Sequence, residues 1–346
     1  MPKKDYRKQL EKIDEAILDL LHRRMEISGK VEGKGYDFSH SSKILQRYEE
    51  KKGIPKSELQ TLYREIIATT SKMPNPVRVA YWGPPGTYTH IAATSHFGRK
   101  AKYIPLETIP DIFDFVEKQE AEYGVVPVEN STEGVVAHTL DMFLQSPARI
   151  CSQVQLEIHH HLLSKEKKLS EIEKVYAVGQ AEAQCRKFLR KELTHAKIVP
   201  AVNTAIAAQQ AAQEKLSAAI GSKLAAKLYG LGILSSNIHD NPHNRTRFLV
   251  IGLHPVMRSG NDRCSLLFSV PHRPGALAEA LNVFRKFRVN MTMIESRPAP
   301  FTSFEYVFFV DLEGHERDRK VANAIKELRK IALFVNVLGS YPLFET

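Results

Sequence analysis

Apolar residues recur near the start of the chain at three- and four-residue spacing: Tyr6, Leu10, Ile13, Ile17, Leu20, Ile27 and Val31. That period predicts one long helix with a continuous apolar stripe, ended by Gly33-Lys34-Gly35. A short helix is predicted over 44–51. A third starts at Pro55-Lys56-Ser57-Glu58 and buries Leu59, Leu62, Ile66 and Ile67. Residues 1–73 thus read as an all-α unit of three helices, whose thin core is expected to need a second copy of the chain. After Met73-Pro74-Asn75-Pro76 the pattern switches to strands alternating with helices, as in an α/β domain. Strands are predicted over 77–82, 102–106, 123–128, 150–163, 174–178, 197–202 and 217–220. Helices are predicted from the 83–90 turn to Phe97 and over 109–117, 182–193 and 204–213. This gives two α/β blocks with a cleft between them, spanning 77–255. Beyond the polar linker Arg258-Ser259-Gly260-Asn261-Asp262, residues 263–346 carry the βαββαβ order of a small ferredoxin-like α+β domain.

With 346 residues, 43% hydrophobic and 25% charged, the chain has the composition of a multidomain globular protein that needs no covalent staples. Cys151, Cys185 and Cys264 are far apart and odd in number, so neither a disulfide framework nor a zinc site is expected, and a reducing cytoplasm fits. Met1-Pro2-Lys3-Lys4-Asp5 leads into a mixed-charge helix without the apolar core of a secretion signal, and no membrane span is expected. The net charge of +10 suits either nucleic acid or small polyanions. Its dispersal, and the lack of interleaved aromatics, argue against nucleic acid.

Three polar clusters sit where α/β folds gather ligands. Gly83-Pro84-Pro85-Gly86-Thr87-Tyr88-Thr89-His90 opens a helix and offers free N–H groups and hydroxyls to an anion, yet it is neither a Walker loop nor a dinucleotide fingerprint. Glu129-Asn130-Ser131 closes a strand with an acid, an amide and a hydroxyl. Asn244-Arg245-Thr246-Arg247-Phe248 enters a buried run with a hydroxyl between two guanidinium groups; strand alternation turns Arg245 and Arg247 away from Thr246. His159, His160 and His161, read as strand residues, alternate faces and cannot chelate one metal, so packing or surface roles are expected. On the first helix, Arg24 interrupts the apolar stripe and lies about 25 Å from Arg7, so both can serve one pocket only if Arg7 comes from a partner chain.

Together these motifs resemble the bifunctional chorismate mutase and prephenate dehydratase family, over nearly the whole chain. GPPGTYTH, PVENSTEG and NRTRF are similar to its dehydratase signatures; Gly275-Ala276-Leu277 and Glu295-Ser296-Arg297-Pro298 are similar to the phenylalanine-binding motifs of its ACT domain. The resemblance implies a two-lobed, periplasmic-binding-protein-like dehydratase that turns prephenate into phenylpyruvate without a cofactor or metal. It implies Thr246, Asn130, Gln184 and Glu129 as catalytic residues. Thr87, Tyr88, Thr89, Ser131, Asn244, Arg245 and Arg247 would bind substrate, and Gly275, Ala276, Leu277, Glu295, Ser296 and Arg297 would bind a phenylalanine effector. One departure is Ala177, which stands where the family has a serine.

The helical unit resembles an intertwined chorismate mutase dimer, with Arg7, Arg24, Lys34 and Arg47 as its chorismate-binding residues. Tyr48 and Pro74 replace a glutamate and a glutamine of that pocket, leaving two readings, an active mutase or a relic that still dimerises. A homodimer or homotetramer is expected. The alternatives are an arogenate dehydratase and a weakly catalytic amino-acid sensor.

Overall fold

A computed structural model describes residues 6–28, 38–47, 55–70, 76–298 and 306–343. The chain opens with helices α1 (Tyr6–Ser28), α2 (Phe38–Arg47) and α3 (Lys56–Thr70). No residue of α1 is buried, and Tyr6, Leu10, Ile13, Ile17 and Ile27 of its stripe are 47–66% exposed. Helix α3 packs on it, and Arg24 turns toward that helix to donate to the Thr70 hydroxyl. Lys34, Tyr48 and Pro74 lie outside the described residues, and Arg47 is described only as part of α2. The second helix begins earlier than its apolar pattern suggests, because Phe38 anchors it in the next domain. Its ring, 1% exposed, sits 5.3 Å from those of His96 and Tyr123 and 6.0 Å from Phe97.

The first lobe comprises β1 (Arg78–Trp82), α4 (Tyr88–Phe97), β2 (Lys102–Leu106), α5 (Ile109–Glu117), β3 (Tyr123–Asn130), β4 (Gly134–Val135), α6 (Ala137–Met142) and β5 (Arg149–Glu157). The second comprises β6 (His161–Ser164), β7 (Lys174–Ala177), α7 (Gly179–Gln184), α8 (Arg186–Glu192), β8 (Lys197–Pro200), α9 (Thr204–Gln213), β9 (Ser217–Gly221), α10 (Lys223–Tyr229) and β10 (Gly232–Ser235). Strand β11 (Arg245–Gly252) then returns to the first sheet, giving the order β2-β1-β3-β11-β5, with β4 paired to β3; the second sheet runs β10-β6-β9-β7-β8. Its apolar run explains the central place of β11, since Phe248 to Ile251 are at most 2% exposed.

Two predicted elements are broken. The strand expected over 150–163 is divided into β5 and β6, which belong to different sheets, so Ile158, His159 and His160 form a crossover between lobes. The helix expected over 182–193 is divided at Cys185, whose ψ of 16° takes it out of helical geometry.

The last part contains β12 (Asp262–Ser269), α11 (Ala276–Lys286), β13 (Met291–Pro298), β14 (Tyr306–Glu313), α12 (Arg319–Ile331) and β15 (Phe334–Pro342), in sheet order β13-β14-β12-β15. One face of this sheet carries its own two helices. Leu267, Val307, Phe309, Leu338 and Tyr341 instead join Ile150, Leu249 and Ile251 in a core shared with the first lobe. At Gly339 a Cβ would collide with the Ile150 carbonyl, so only glycine lets β15 approach β5 this closely. Among the described residues no helix is long and apolar enough to cross a membrane, and no cluster of His, Cys, Asp and Glu could hold a metal ion.

Candidate active site

The Gly83–His90 turn closes one wall between the lobes. Gly83 and Gly86 take φ of 90° and 100°, a region that glycine adopts without strain, and a Cβ at Gly86 would lie 3.3 Å from Ala225 Cα in α10. Across this seam Ser222 donates to the Gly86 carbonyl at 3.0 Å and Tyr229 donates to the Pro85 carbonyl at 2.8 Å. The Thr87 hydroxyl caps α4, accepting from the His90 amide and donating to the Trp82 carbonyl at 3.1 Å. Thr87 therefore lines the cleft with its hydroxyl already engaged.

The cleft encloses ≈ 200 Å³ and is lined from the first lobe by Tyr88, Thr89, Asn130, Asn244, Thr246 and Phe248. The second lobe adds Gln180, Gln184, Asn203 and Thr204, and the crossover adds His160. Among the described residues that line it there is no Lys, Arg, Asp or Glu. The N-terminal ends of α4 and α9 line it from the two lobes and carry partial positive charge, with Thr87 and Asn203 capping their first turns.

One chain of hydrogen bonds crosses this cleft, and its direction is fixed. Gln184 donates from Nε2 to the Glu133 carboxylate at 3.0 Å; a carboxylate only accepts, so Gln184 Oε1 must be the acceptor for its other partners. Asn244 Nδ2 donates to that oxygen at 2.9 Å, which turns Asn244 Oδ1 toward Asn130. Asn130 Nδ2 then donates both to Asn244 Oδ1 at 2.9 Å and to Thr246 Oγ1 at 2.8 Å. The far end is fixed too, because Asn130 Oδ1 accepts the backbone amides of Thr132 and Glu133. With its oxygen accepting from Asn130, Thr246 is left with its own proton to donate into the cleft. Thr246 and Asn130 are direct cross-strand partners in β11 and β3, which explains how residues 116 positions apart meet.

Other expected site residues lie elsewhere. Glu129 and Arg247 fall on the opposite face of the sheet from Asn130 and Thr246, as the alternation of a strand requires. Arg247 is 8% exposed and enters the third sheet: it meets Asp311 at 2.6 Å, donates to Tyr341 at 2.8 Å and to Gln153 at 2.9 Å, and lies 3.7 Å from Glu129. Burial works against its charge, yet Tyr341, Asp311 and Glu129 keep its pKa above the ordinary arginine value. Arg245 points to solvent and pairs with Glu157 at 3.0 Å, while Ser131 accepts the Arg245 amide at 2.9 Å and so ties β3 to β11. Neither arginine is among the residues that line the cleft; each guanidinium is held by the partners just given.

Ala177, 1% exposed at the end of β7, brings no hydroxyl to the cleft. In the third sheet, Gly275 caps α11 with φ of 81° just after β12, and the register Ser269–Val307–Arg297 puts Ser296 and Arg297 at the same end. Ala276 is buried, Leu277 and Glu295 are half-buried, and Ser296 is exposed. Arg297 is occupied by Asp141 of α6, in a two-pronged pair of 3.0 and 2.9 Å. Arg7 is exposed on α1.

His160 was not singled out from sequence. Burial pushes its pKa down to about 4, against a smaller upward pull from Gln184. Burial likewise lowers His161 to about 4 and His96 to about 3. All three fold as neutral rings, whereas the unfolded chain takes up protons near pH 6.5. Their contribution to stability is complete above pH 6.5 and is lost as pH falls toward 4. The melting temperature is expected to decline already from pH 6.5 to 5, above the range where carboxylates titrate; a flat melting temperature over that interval contradicts the assignment.

A two-lobed α/β protein with a hydroxyl-bearing cleft and an appended α+β sheet domain is the class these features define. Residues 79–256 match the family model for prephenate dehydratase and residues 265–330 that for the ACT domain. The chain is 43% identical to the bifunctional chorismate mutase/prephenate dehydratase of Aquifex aeolicus, covering 98% of this chain and 97% of that one. The protein of the same description from Neisseria gonorrhoeae is 39% identical, with 97% and 96% covered. Among solved structures, the prephenate dehydratase from Arthrobacter aurescens in complex with L-Phe superposes with a TM-score of 0.73 at 34% identity, over 77% of this chain and 90% of that chain. The chain belongs to the bifunctional chorismate mutase/prephenate dehydratase family.

Proposed function

We infer that this chain is a prephenate dehydratase of phenylalanine biosynthesis, fused to a chorismate mutase unit (1–73) and to an ACT domain (263–346) that senses phenylalanine. The observation that carries the dehydratase reading is the free proton of Thr246, aimed into a cleft at the centre of the 77–255 region. In the reaction the bond from the ring to its carboxylate breaks and releases carbon dioxide, its electron pair enters the ring, and the ring C–O bond breaks. Hydroxide leaves poorly. Thr246 lowers the barrier by hydrogen bonding to the departing oxygen, while Asn130 keeps the threonine oxygen polarised. Gln184 and Asn244 hold Asn130 and meet the substrate's polar groups. The ends of α4 and α9, with Tyr88 and Thr89, receive the carboxylates, since no described basic side chain lines the cleft to take them. An ammonium group gains nothing there, which favours prephenate over arogenate.

Chorismate rearrangement at the helices is supported by the full-length likeness to two bifunctional relatives. It needs electrostatic holding of one conformer and no proton transfer. Cover for the bare stripe of α1 comes from a second copy of the chain, which also brings Arg7 toward the partner's Arg24. Ile13→Glu with Ile17→Glu should therefore lower the mass in sedimentation and abolish mutase turnover, leaving dehydratase turnover within about twofold, since neither side chain lines the cleft. An unchanged mass contradicts this dimer. Three buried free thiols favour a reducing, cytoplasmic setting. The division of labour is tested by following chorismate and prephenate consumption in parallel, with and without phenylalanine. Loss of dehydratase turnover on adding phenylalanine is expected, and an unchanged rate with no bound phenylalanine removes the effector from the reading.

A further inference from the structure

His160 lies on the crossover between the lobes, 3% exposed, and is held on every side. Its amide donates to His239 Nδ1 at 3.3 Å, and its carbonyl accepts the Ile238 amide at 2.8 Å. The imidazole stands edge-on to Tyr88, with centroids 5.7 Å apart and an interplanar angle of 84°. Nδ1 is 3.2 Å from the Tyr88 hydroxyl, which also donates to the His159 carbonyl at 2.7 Å, and Nε2 is 2.9 Å from Gln184 Oε1.

The proton can be located from the neighbours. Gln184 Oε1 is an acceptor because the other end of that amide faces the Glu133 carboxylate, so Nε2 of the neutral ring carries the hydrogen; the single Tyr88 O–H proton then lies between Nδ1 and the His159 carbonyl. Gln184 Oε1 thus receives two donors, Asn244 from the first lobe and His160 from the crossover. Without the second, Gln184 is tied only to the exposed Glu133 and to Asn244, and the amide can rotate in the cleft.

We propose that His160 is a positioning residue for the dehydration: by donating from Nε2 to Gln184 it locks the Gln184–Asn244–Asn130 chain that aims the Thr246 hydroxyl at the leaving group. The proposal rests on the dehydratase reading above. It assigns His160 no contact with the reacting atoms; the ring acts through Gln184. Small displacements of a positioned group cost up to about 100-fold in rate, so the effect falls on kcat and leaves KM largely alone.

Glutamine and asparagine separate this role from packing. His160→Gln can put an amide N–H near the position of Nε2, whereas His160→Asn reaches only to the position of Nδ1. His160→Gln is expected to keep kcat within about fivefold of the parent, and His160→Asn to lower it by about 10- to 100-fold with KM within about twofold. Far-ultraviolet circular dichroism and melting establish that both variants fold. The proposal is overturned if His160→Asn turns over like the parent, if His160→Gln falls as far as His160→Asn, or if the loss appears in KM alone. A reading independent of turnover is the nitrogen-15 spectrum of the ring, assigned by its absence in His160→Gln: a proton on Nε2 is expected, and a proton on Nδ1 overturns the proposal. An inactive parent with a protonated Nε2 would mean that the dehydratase reading has failed while the hydrogen bond stands.

Discussion

Thr246→Ala is expected to reduce phenylpyruvate formation by about 10³-fold, the scale of a lost proton donor to a poor leaving group. Folding should be almost unaffected: Thr246 is 9% exposed, it makes one side-chain hydrogen bond, with Asn130, and alanine fits the strand. Asn130 would keep Asn244, Thr132 and Glu133 as partners, so the loss at equilibrium is on the order of 1 kcal/mol. Thr246→Ser retains the hydroxyl but loses the methyl group that restricts its rotamer, and should fall between alanine and the parent. Substrate affinity should survive in both variants, because the carboxylates are assigned to helix ends and not to Thr246. If Thr246→Ala has parental kcat in a folded protein, the proton donor must be sought elsewhere in the cleft.

The second large effect concerns stability. Asp311 is fully buried and meets Arg247 at 2.6 Å, with Arg263 at 3.7 Å and the Ser265 hydroxyl donating to it at 2.5 Å. Asp311→Ala leaves the Arg247 guanidinium buried in a site built for an ion pair, a change that costs about 3–5 kcal/mol. The double variant Asp311→Ala with Arg247→Met removes both charges and should recover much of that loss. Because the third sheet shares a core with the first lobe, unfolding midpoints should be followed by probes in both. A double variant no more stable than Asp311→Ala alone would show that the pair is not what holds this seam together.

The three-part architecture was legible because its signals are local. The period of α1, the strand–helix alternation after Pro76 and the βαββαβ order from 263 onward are each contained in a short window. The site was legible in composition more than in orientation. GPPGTYTH, PVENSTEG and NRTRF contain the first-lobe residues Tyr88, Thr89, Asn130, Asn244, Thr246 and Phe248 that line the cleft, but face depends on register, and the alternation that put Arg247 behind Thr246 could be stated without knowing what stood there. Asp311, its partner, is 64 residues further along in a strand with no motif.

His160 was hidden for a different reason. Three adjacent histidines inside what reads as one apolar strand suggest packing; only the division of that strand between two sheets turns His160 into a wall of the cleft. Such a division depends on where β11 pairs, between β3 and β5, and long-range pairing leaves no trace in a local window. The signal that was available is the polar break Glu157–His161 between two apolar stretches. The basic residues near Thr246 lie outside the cleft lining, which a motif read without register does not reveal; helix ends can hold anions without burying a guanidinium.

The most direct test of the central claim is the rate at which the intact chain forms phenylpyruvate from prephenate, followed by the absorbance of the product. Saturable turnover is predicted with no added metal or cofactor, and it should disappear in Thr246→Ala. Prephenate left unconverted by the folded parent chain, or turned over equally well by Thr246→Ala, would contradict the account.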